Sequence, residues 1–244
     1  MKFNADMHIH SVLSPCGDID MSPAAIVRTA KERGLGIIGI TDHNSTLNAA
    51  VTRKVGEREG VHVLMGAEVT TREEVHCLGF MPDERTLAEF QAFLDSKVIF
   101  FPNDEDKFGY QLVVDENENV LDMVPHLLIN ALDLPMEELQ KKVYELGGIF
   151  IPAHVDRPTF SISSQLGFVP DHLKFHALEL SYWCRQGNYK FFDECPWFSD
   201  FNFIQSSDAH YVPDIGKIFS VLEMPEFSFE NFRYALHQGE PIIL

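Results

Sequence analysis

Apolar positions recur along the chain with two periods, near two and near 3.6, and their alternation lays out strands and helices in turn. Phe3–Asn4–Ala5–Asp6–Met7–His8–Ile9–His10 alternates with period two and predicts a first strand. After a loop from Ser11 to Met21, Ser22–Pro23 predicts a helix start, because serine caps free N–H groups and proline suits the first helical position. Ala24, Ile26, Val27 and Ala30 give this helix one apolar face, and Gly34 ends it. Leu35–Gly36–Ile37–Ile38–Gly39–Ile40 is apolar throughout, as expected of a strand buried on both faces of a parallel sheet. A helix over Thr46 to Glu59, stopped by Gly60, leads to a third strand from Val61 towards Glu68.

Val75 to Phe80 predicts a further strand and Thr86 to Val98 an amphipathic helix. Tyr110–Val114, the polar tip Asp115–Asn119 and Val120–Met123 read as a β-hairpin. Leu127–Leu132 and Pro135–Leu146 read as two short helices. Strand patterns return at Gly148–His154, Ala177–Ser181, Asn202–Ser206 and Phe219–Leu222, and Ser228 caps a last helix that Gly239 ends. The expectation is an α/β fold of about seven core strands, a parallel barrel or open sheet, in one domain. Asn103–Leu134 interrupts the rhythm and is expected to be a hairpin-containing insertion, more a structural decoration than a lid.

Length and charge narrow the classes. The 244 residues, 45% of them hydrophobic, suit a single barrel-sized domain. The 19 basic residues face 37 acidic ones, for a net charge of −18. Such a surface does not attract long nucleic acid or anionic membrane non-specifically. Cys16, Cys77, Cys184 and Cys195 form no Cys-x-x-Cys pair and no disulfide framework. The chain opens directly into an aspartate-bearing strand, and no apolar run approaches the ~20 residues of a membrane span. The expected location is the cytoplasm.

The chemistry-bearing residues collect at strand ends. His8 and His10 are two residues apart on one strand and can aim at one point, with Asp6 on the same face to orient them. Asp42–His43, Glu68, His76, His154, Asp208 and His210 follow, each at the end of a predicted strand or beside one. Imidazole with carboxylate suits divalent zinc, manganese or iron. The number of groups exceeds the needs of one ion, so two to three ions are expected, with Glu68 as the bridge. His62 falls mid-strand and is expected in the core. His126, His172, His176 and His237 are expected at the surface.

His-x-His, Thr-Asp-His, the glutamate followed by a histidine strand, the later histidine and Ser-Asp-Ala-His together resemble the PHP (polymerase and histidinol phosphatase) superfamily, over nearly the whole chain. The resemblance implies a distorted (β/α)7 barrel holding up to three metal ions at its C-terminal mouth, and phosphoester hydrolysis by a metal-activated hydroxide. By the same resemblance, His8, His10, Glu68 and Asp208 would hold one ion. Glu68, His76 and His154 would hold a second. His43, His210 and a first-loop residue would hold a third, Asp18 matching better than Asp20. Arg157, three residues past His154, matches an arginine that grips the substrate phosphate in related enzymes, and a guanidinium fork suits that task. Lys217 is a weaker candidate for the same role. Arg157, His210 and Asp42 are the catalytic candidates, although Asp42 can instead stand behind the ligands. The substrate is then a small phosphorylated molecule or nucleotide. The alternatives are a 3′–5′ exonuclease on short oligonucleotides and a non-catalytic metal-binding module. No attached polymerase is expected, because the sequence stops soon after the last helix, and its full ligand set argues against a degenerate module.

Overall fold

A computed structural model describes residues 1–184, 190–198 and 201–238. The strands β1 (Lys2–Ile9), β2 (Ile37–Ile40) and β3 (His62–Thr70) run parallel and adjacent. The helices between them are α1 (Pro23–Glu32) and α2 (Ala49–Glu59). Ser22 accepts the Ala25 N–H at 3.2 Å and so caps α1, as the sequence predicts. Gly60 ends α2 in the left-handed conformation (φ 76°), which a residue without a Cβ adopts freely.

The next strand, β4 (His76–Met81), runs antiparallel to β3. Only a short turn links them, held by Thr71 N–H to the Val75 carbonyl at 3.0 Å, and a parallel partner would need a long crossover. After α3 (Glu84–Asp95) and α4 (Glu105–Phe108) comes the hairpin of β5 (Leu112–Val114) and β6 (Val120–Met123). Then α5 (Met136–Glu145) leads to β7 (Ile149–Pro152), antiparallel to β4 and therefore parallel to β3. α6 (Ile162–Leu166) precedes β8 (Leu178–Leu180), and α7 (Lys190–Glu194) precedes β9 (Phe203–Gln205), which pairs parallel with β8. β10 (Ser220–Glu223) pairs antiparallel with β1, and α8 (Phe229–Gln238) follows. The expected helix stop at Gly239 lies outside the described residues.

The architecture is thus mixed α/β, with a curled six-stranded sheet in the order β10-β1-β2-β3-β4-β7 and a separate β8-β9 pair. Scattered bonds link the two pieces, among them Val155 N–H to the Glu179 carbonyl on one side and His10 N–H to the Ala209 carbonyl on the other. The uniformly parallel sheet expected from the apolar runs is corrected at β4 and β10, both reversed.

One apolar cluster, including Ala5, Met7, Leu64, Leu78, Phe80 and Ile151, fills the concave side of the sheet. The larger cluster, including Ile26, Ile38, Ile40, Met65 and Phe90, lies between the sheet and the helices. The expected helix at 127–132 does not form. Asn44 donates to the carbonyls of Leu128 and Asn130, and Gln111 donates to those of Val124 and His126, so side chains take the bonds a helix would use. The 103–134 segment, expected as an insertion, packs on the first loop through Leu112 N–H to the Val12 carbonyl. A cavity of about 650 Å³ opens between that loop and residues 105–110.

Candidate metal centre

Three features of the strands bring the ligand-type residues to one edge. First, β1 carries a bulge. Ala5 and Asp6 pair with Ile37 and Ile38, but Ile9 pairs with Ile40, so one extra residue lies between Asp6 and Ile9. The extra residue reverses which side chains face inward. Met7 fills the concave core while His8 and His10 also turn inward. Asp6 lands on the opposite face, correcting the expectation that it orients the two histidines. It accepts from Ser207 N–H, Ser207 Oγ and Gly216 N–H instead, and burial pushes its carboxyl up to about 6. Gly39 makes room for the bulge, since a Cβ there would lie 2.3 Å from the Met7 carbonyl oxygen.

Second, the reversal of β4 places His76 at its start opposite Thr70 near the end of β3. Third, β7 reverses again, so His154 emerges just past its end at the same edge. Four residues here hold left-handed backbones without being glycine: Asn44 (φ 50°), His154 (32°), Phe160 (57°) and Asp208 (51°). Such strain collects where a side chain must be aimed.

Glu68 sits at the centre and is buried. Its Oε1 lies 2.8 Å from His76 Nδ1, 3.1 Å from His154 Nε2 and 3.3 Å from His8 Nε2. Its Oε2 lies 3.1 Å from His43 Nδ1 and 3.4 Å from His10 Nε2. Asp208 Oδ1 lies 3.3 Å from His8 Nε2 and 3.2 Å from His10 Nε2. Three overlapping groups each converge closely enough to hold an ion: His8, His10, Glu68 and Asp208; His43, Glu68 and His76; and His10, His43 and His210. Glu68 belongs to two of them, which is the geometry a bridge requires.

The donor set fits cations. His43 Nδ1 and Asp208 Oδ1 are buried and make no hydrogen bond. His8 Nδ1 donates to Glu179 Oε2 at 2.9 Å, which turns Nε2 inward. His10 Nδ1 donates to Ser14 Oγ at 3.0 Å, and Ser14 donates to Asp42 Oδ1 at 2.8 Å. Burial and the nearby His210 bring His10 down to about 4. Burial and His10 hold His43 well below its ordinary value. Burial opposes protonation of His8, but Glu179, Asp208 and Glu68 outweigh it and raise its pKa well above the usual range. Loading a cation therefore has to displace a proton from His8.

Asp42, a catalytic candidate from the sequence, stands behind the ligand-type residues. It is fully buried, and Ser11 N–H, Ser11 Oγ and Ser14 Oγ occupy its oxygens. Its carboxylate reaches the centre by orienting His10 through Ser14, and its carbonyl accepts the Glu68 N–H at 3.1 Å. Asp18 touches the centre by backbone alone, its N–H donating to the His210 carbonyl at 2.8 Å. Its carboxylate accepts the Asp20 N–H and is absent from the converging groups, so the structure does not bring it to His43 and His210. Asp20 is exposed. Arg157 stands at the rim with Nη2 2.6 Å from Asp208 Oδ2. His210 Nδ1 lies 2.9 Å from the Asp208 carbonyl, leaving Nε2 free towards His10 and His43. Lys217 pairs with Asp214 and takes no part.

The remaining histidines divide differently from expectation. His62 is not in the core: it begins β3, is exposed, and stacks on Phe227 at 4.2 Å. His176 is buried and accepts the Phe150 N–H. His126 is partly buried, His172 is exposed, and the side chain of His237 lies outside the described residues.

Glu179 is the functional residue the pattern analysis missed. It is buried on β8 between Leu178 and Leu180, where it binds His8 and the His154 N–H at 3.1 Å. A carboxylate in the middle of an apolar three-residue strand was the available signal. Glu179→Gln should weaken metal affinity about 10-fold in a chelator competition. Unchanged affinity would remove Glu179 from the centre's support.

A model of the PHP domain matches residues 6–146. The chain belongs to the PHP domain family. The match includes His8, His10, His43, Glu68 and His76, while His154, Glu179, Asp208 and His210 lie beyond it. The PHP chain is 26% identical to the uncharacterized protein YqxK of Bacillus subtilis, over 96% of this chain and 62% of that protein. It is 32% identical to phosphoribosyl 1,2-cyclic phosphate 1,2-diphosphodiesterase of Eggerthella lenta, over 32% of this chain and 31% of that protein. Its fold is similar to that of the lesion-specific endonuclease PfuEndoQ of Pyrococcus furiosus, with a TM-score of 0.72 at 22% identity, covering 99% of this chain and 57% of that one. The chain therefore spans little more than half the length of PfuEndoQ. PHP enzymes are hydrolases of phosphoester bonds that use divalent metals, and the convergent His, Glu and Asp groups here provide for such ions. Among the described residues, no helix is long and apolar enough to cross a membrane.

Proposed function

We propose that this PHP chain hydrolyses the phosphoester bond of a small phosphorylated molecule, a phosphomonoester or small nucleotide. The observation that carries the reading is Glu68, which five imidazoles approach through its two oxygens, with Arg157 docked on the adjacent Asp208. His8, His10, Glu68 and Asp208 would hold one divalent ion of the zinc, manganese or iron class. His43, Glu68 and His76, with His154 beside them, would hold a second, and His10, His43 and His210 a third. Such ions supply Lewis acidity, activating water and screening phosphate charge.

The chain's own residues do the rest. Glu179, and Asp42 through Ser14, hold the rings of His8 and His10 so that both turn Nε2 inward. Arg157 spends one nitrogen on Asp208, and its side chain remains 31% exposed, leaving donors for two phosphate oxygens. His210 Nε2, in the partly exposed wall of the cup, is placed to take a proton from the entering water when no ion occupies it.

The net charge of −18 favours small substrates over long nucleic acid. The test is a panel on metal-reconstituted protein: p-nitrophenyl phosphate, sugar phosphates, 3′,5′-bisphosphates, short oligonucleotides and a duplex with an abasic site. Turnover of small esters with more than one metal equivalent per chain is expected. One equivalent or less at saturating metal, or no phosphoester turnover, would overturn the reading. Preference for the duplex would move the substrate class to that implied by PfuEndoQ's name.

A further inference from the structure

We propose that Phe160 is a stacking platform for a planar ring of the substrate, so that the ester cleaved here is that of a nucleotide. This rests on the phosphoesterase reading and specifies its substrate.

Phe160 lies on the loop that follows β7, three residues past Arg157. Its ring lies flat against His76, with centroids 4.9 Å apart and planes at 22°. Its carbonyl accepts the His76 N–H at 3.0 Å. The residue nevertheless stays 43% exposed, so its ring also presents surface to solvent.

Two further facts separate Phe160 from an incidental surface aromatic. Its φ of 57° is a conformation that bulky residues rarely adopt, and a hydrophobic cover for His76 alone would not require it. The loop is also braced on both sides. Arg157 N–H donates to the His154 carbonyl at 2.9 Å, Ser161 Oγ donates to the Arg157 carbonyl at 2.6 Å, and Ser161 caps α6. The ring and the guanidinium are therefore held on one short, tethered segment at the rim.

A phosphate grip beside an aromatic face fits a phosphate carrying a nucleobase. Every base offers a π-face, so such a platform favours nucleotides without selecting among bases. A sugar phosphate has no flat ring to use it.

The test compares two esters with the same leaving group, thymidine 5′-(p-nitrophenyl phosphate) and methyl p-nitrophenyl phosphate. Phe160→Leu keeps an apolar cover on His76 and removes the flat ring. It should raise KM for the thymidine ester about 10-fold or more, with little change for the methyl ester and with metal content intact. Parallel changes for both esters, or none, would reduce Phe160 to a shield for His76 and overturn the proposal.

A second measurement needs no turnover. Phe160→Trp, read against the wild-type emission of Trp183 and Trp197, should be quenched by thymidine 5′-monophosphate and not by ribose 5-phosphate. Equal responses would also overturn the proposal. If wild-type protein cleaves neither of these diesters, the phosphoesterase reading is decided by the monoesters of the substrate panel, and this titration still decides whether Phe160 stacks a base.

Discussion

Glu68→Ala should remove metal from two positions at once and lower kcat/KM by roughly 10²–10⁴-fold. The carboxylate is buried, and both of its oxygens face imidazoles. Burial opposes its ionisation, yet His76, His8 and His43 together outweigh burial and hold its pKa well below the usual range. The Lewis acidity of a bound ion supplies several kcal/mol of transition-state stabilisation, on the order of 3–5, and each 1.36 kcal/mol is a factor of ten. Because Glu68 is shared by two converging groups, the loss should not leave one position filled. Glu68→Gln keeps the shape but loses the negative charge and replaces one oxygen with an NH2 group that does not bind cations, so it should recover little. His62→Ala is the matched comparison: it lies on the same strand, but exposed at the far end against Phe227. Elemental analysis and steady-state kinetics on the three variants decide the matter. Near-normal metal and turnover in Glu68→Ala would end the bridging assignment.

Arg157→Ala should lower kcat/KM for a phosphomonoester by about 10–100-fold with metal content unchanged. A charge-assisted hydrogen bond contributes roughly 1.5–3 kcal/mol, and that range sets the factor. The metal centre alone could serve hydrolysis of other bonds, so in the proposed reading this arginine would tie the site to phosphate. Its pairing with Asp208 gives the variant a second effect to control for, since Asp208 is itself in a converging group. Arg157→Lys restores a charge near Asp208 but not the fork, and should recover only part of the activity. If Arg157→Ala keeps wild-type kcat/KM with its metals intact, the residue is only a structural partner of Asp208.

Much of this centre was legible because each ligand sits next to a strong local signal. His43, Glu68, His154, Asp208 and His210 follow runs rich in apolar residues, and His8 and His10 close an alternating stretch; either pattern announces a strand edge without any knowledge of topology. What stayed hidden depends on register. The bulge in β1 moved Asp6 to the other face, and strict alternation cannot foresee an extra residue. The reversal of β4 was hidden too, since an apolar strand reads the same in either direction. Leu127, Leu128 and Leu132 have helical spacing and are buried, but Asn44 and Gln111 claim their neighbourhood's backbone groups from far along the chain. Phe160 gave no signal at all, because a left-handed phenylalanine is recognisable only from its dihedral angle.

The joining of Asp6 to Ser207, 201 residues apart in the chain, bears on how the protein reaches its native state. The β3–β4 hairpin brings Glu68 and His76 together through a local turn, with little loop-closure entropy to overcome. His8 and Asp208 must meet across almost the entire polypeptide. Contacts of such high sequence separation form late in folding. A competent centre is therefore a marker that the chain has finished folding, and a partly folded molecule would hold the hairpin's pair of ligands while lacking the arginine and aspartate at the rim.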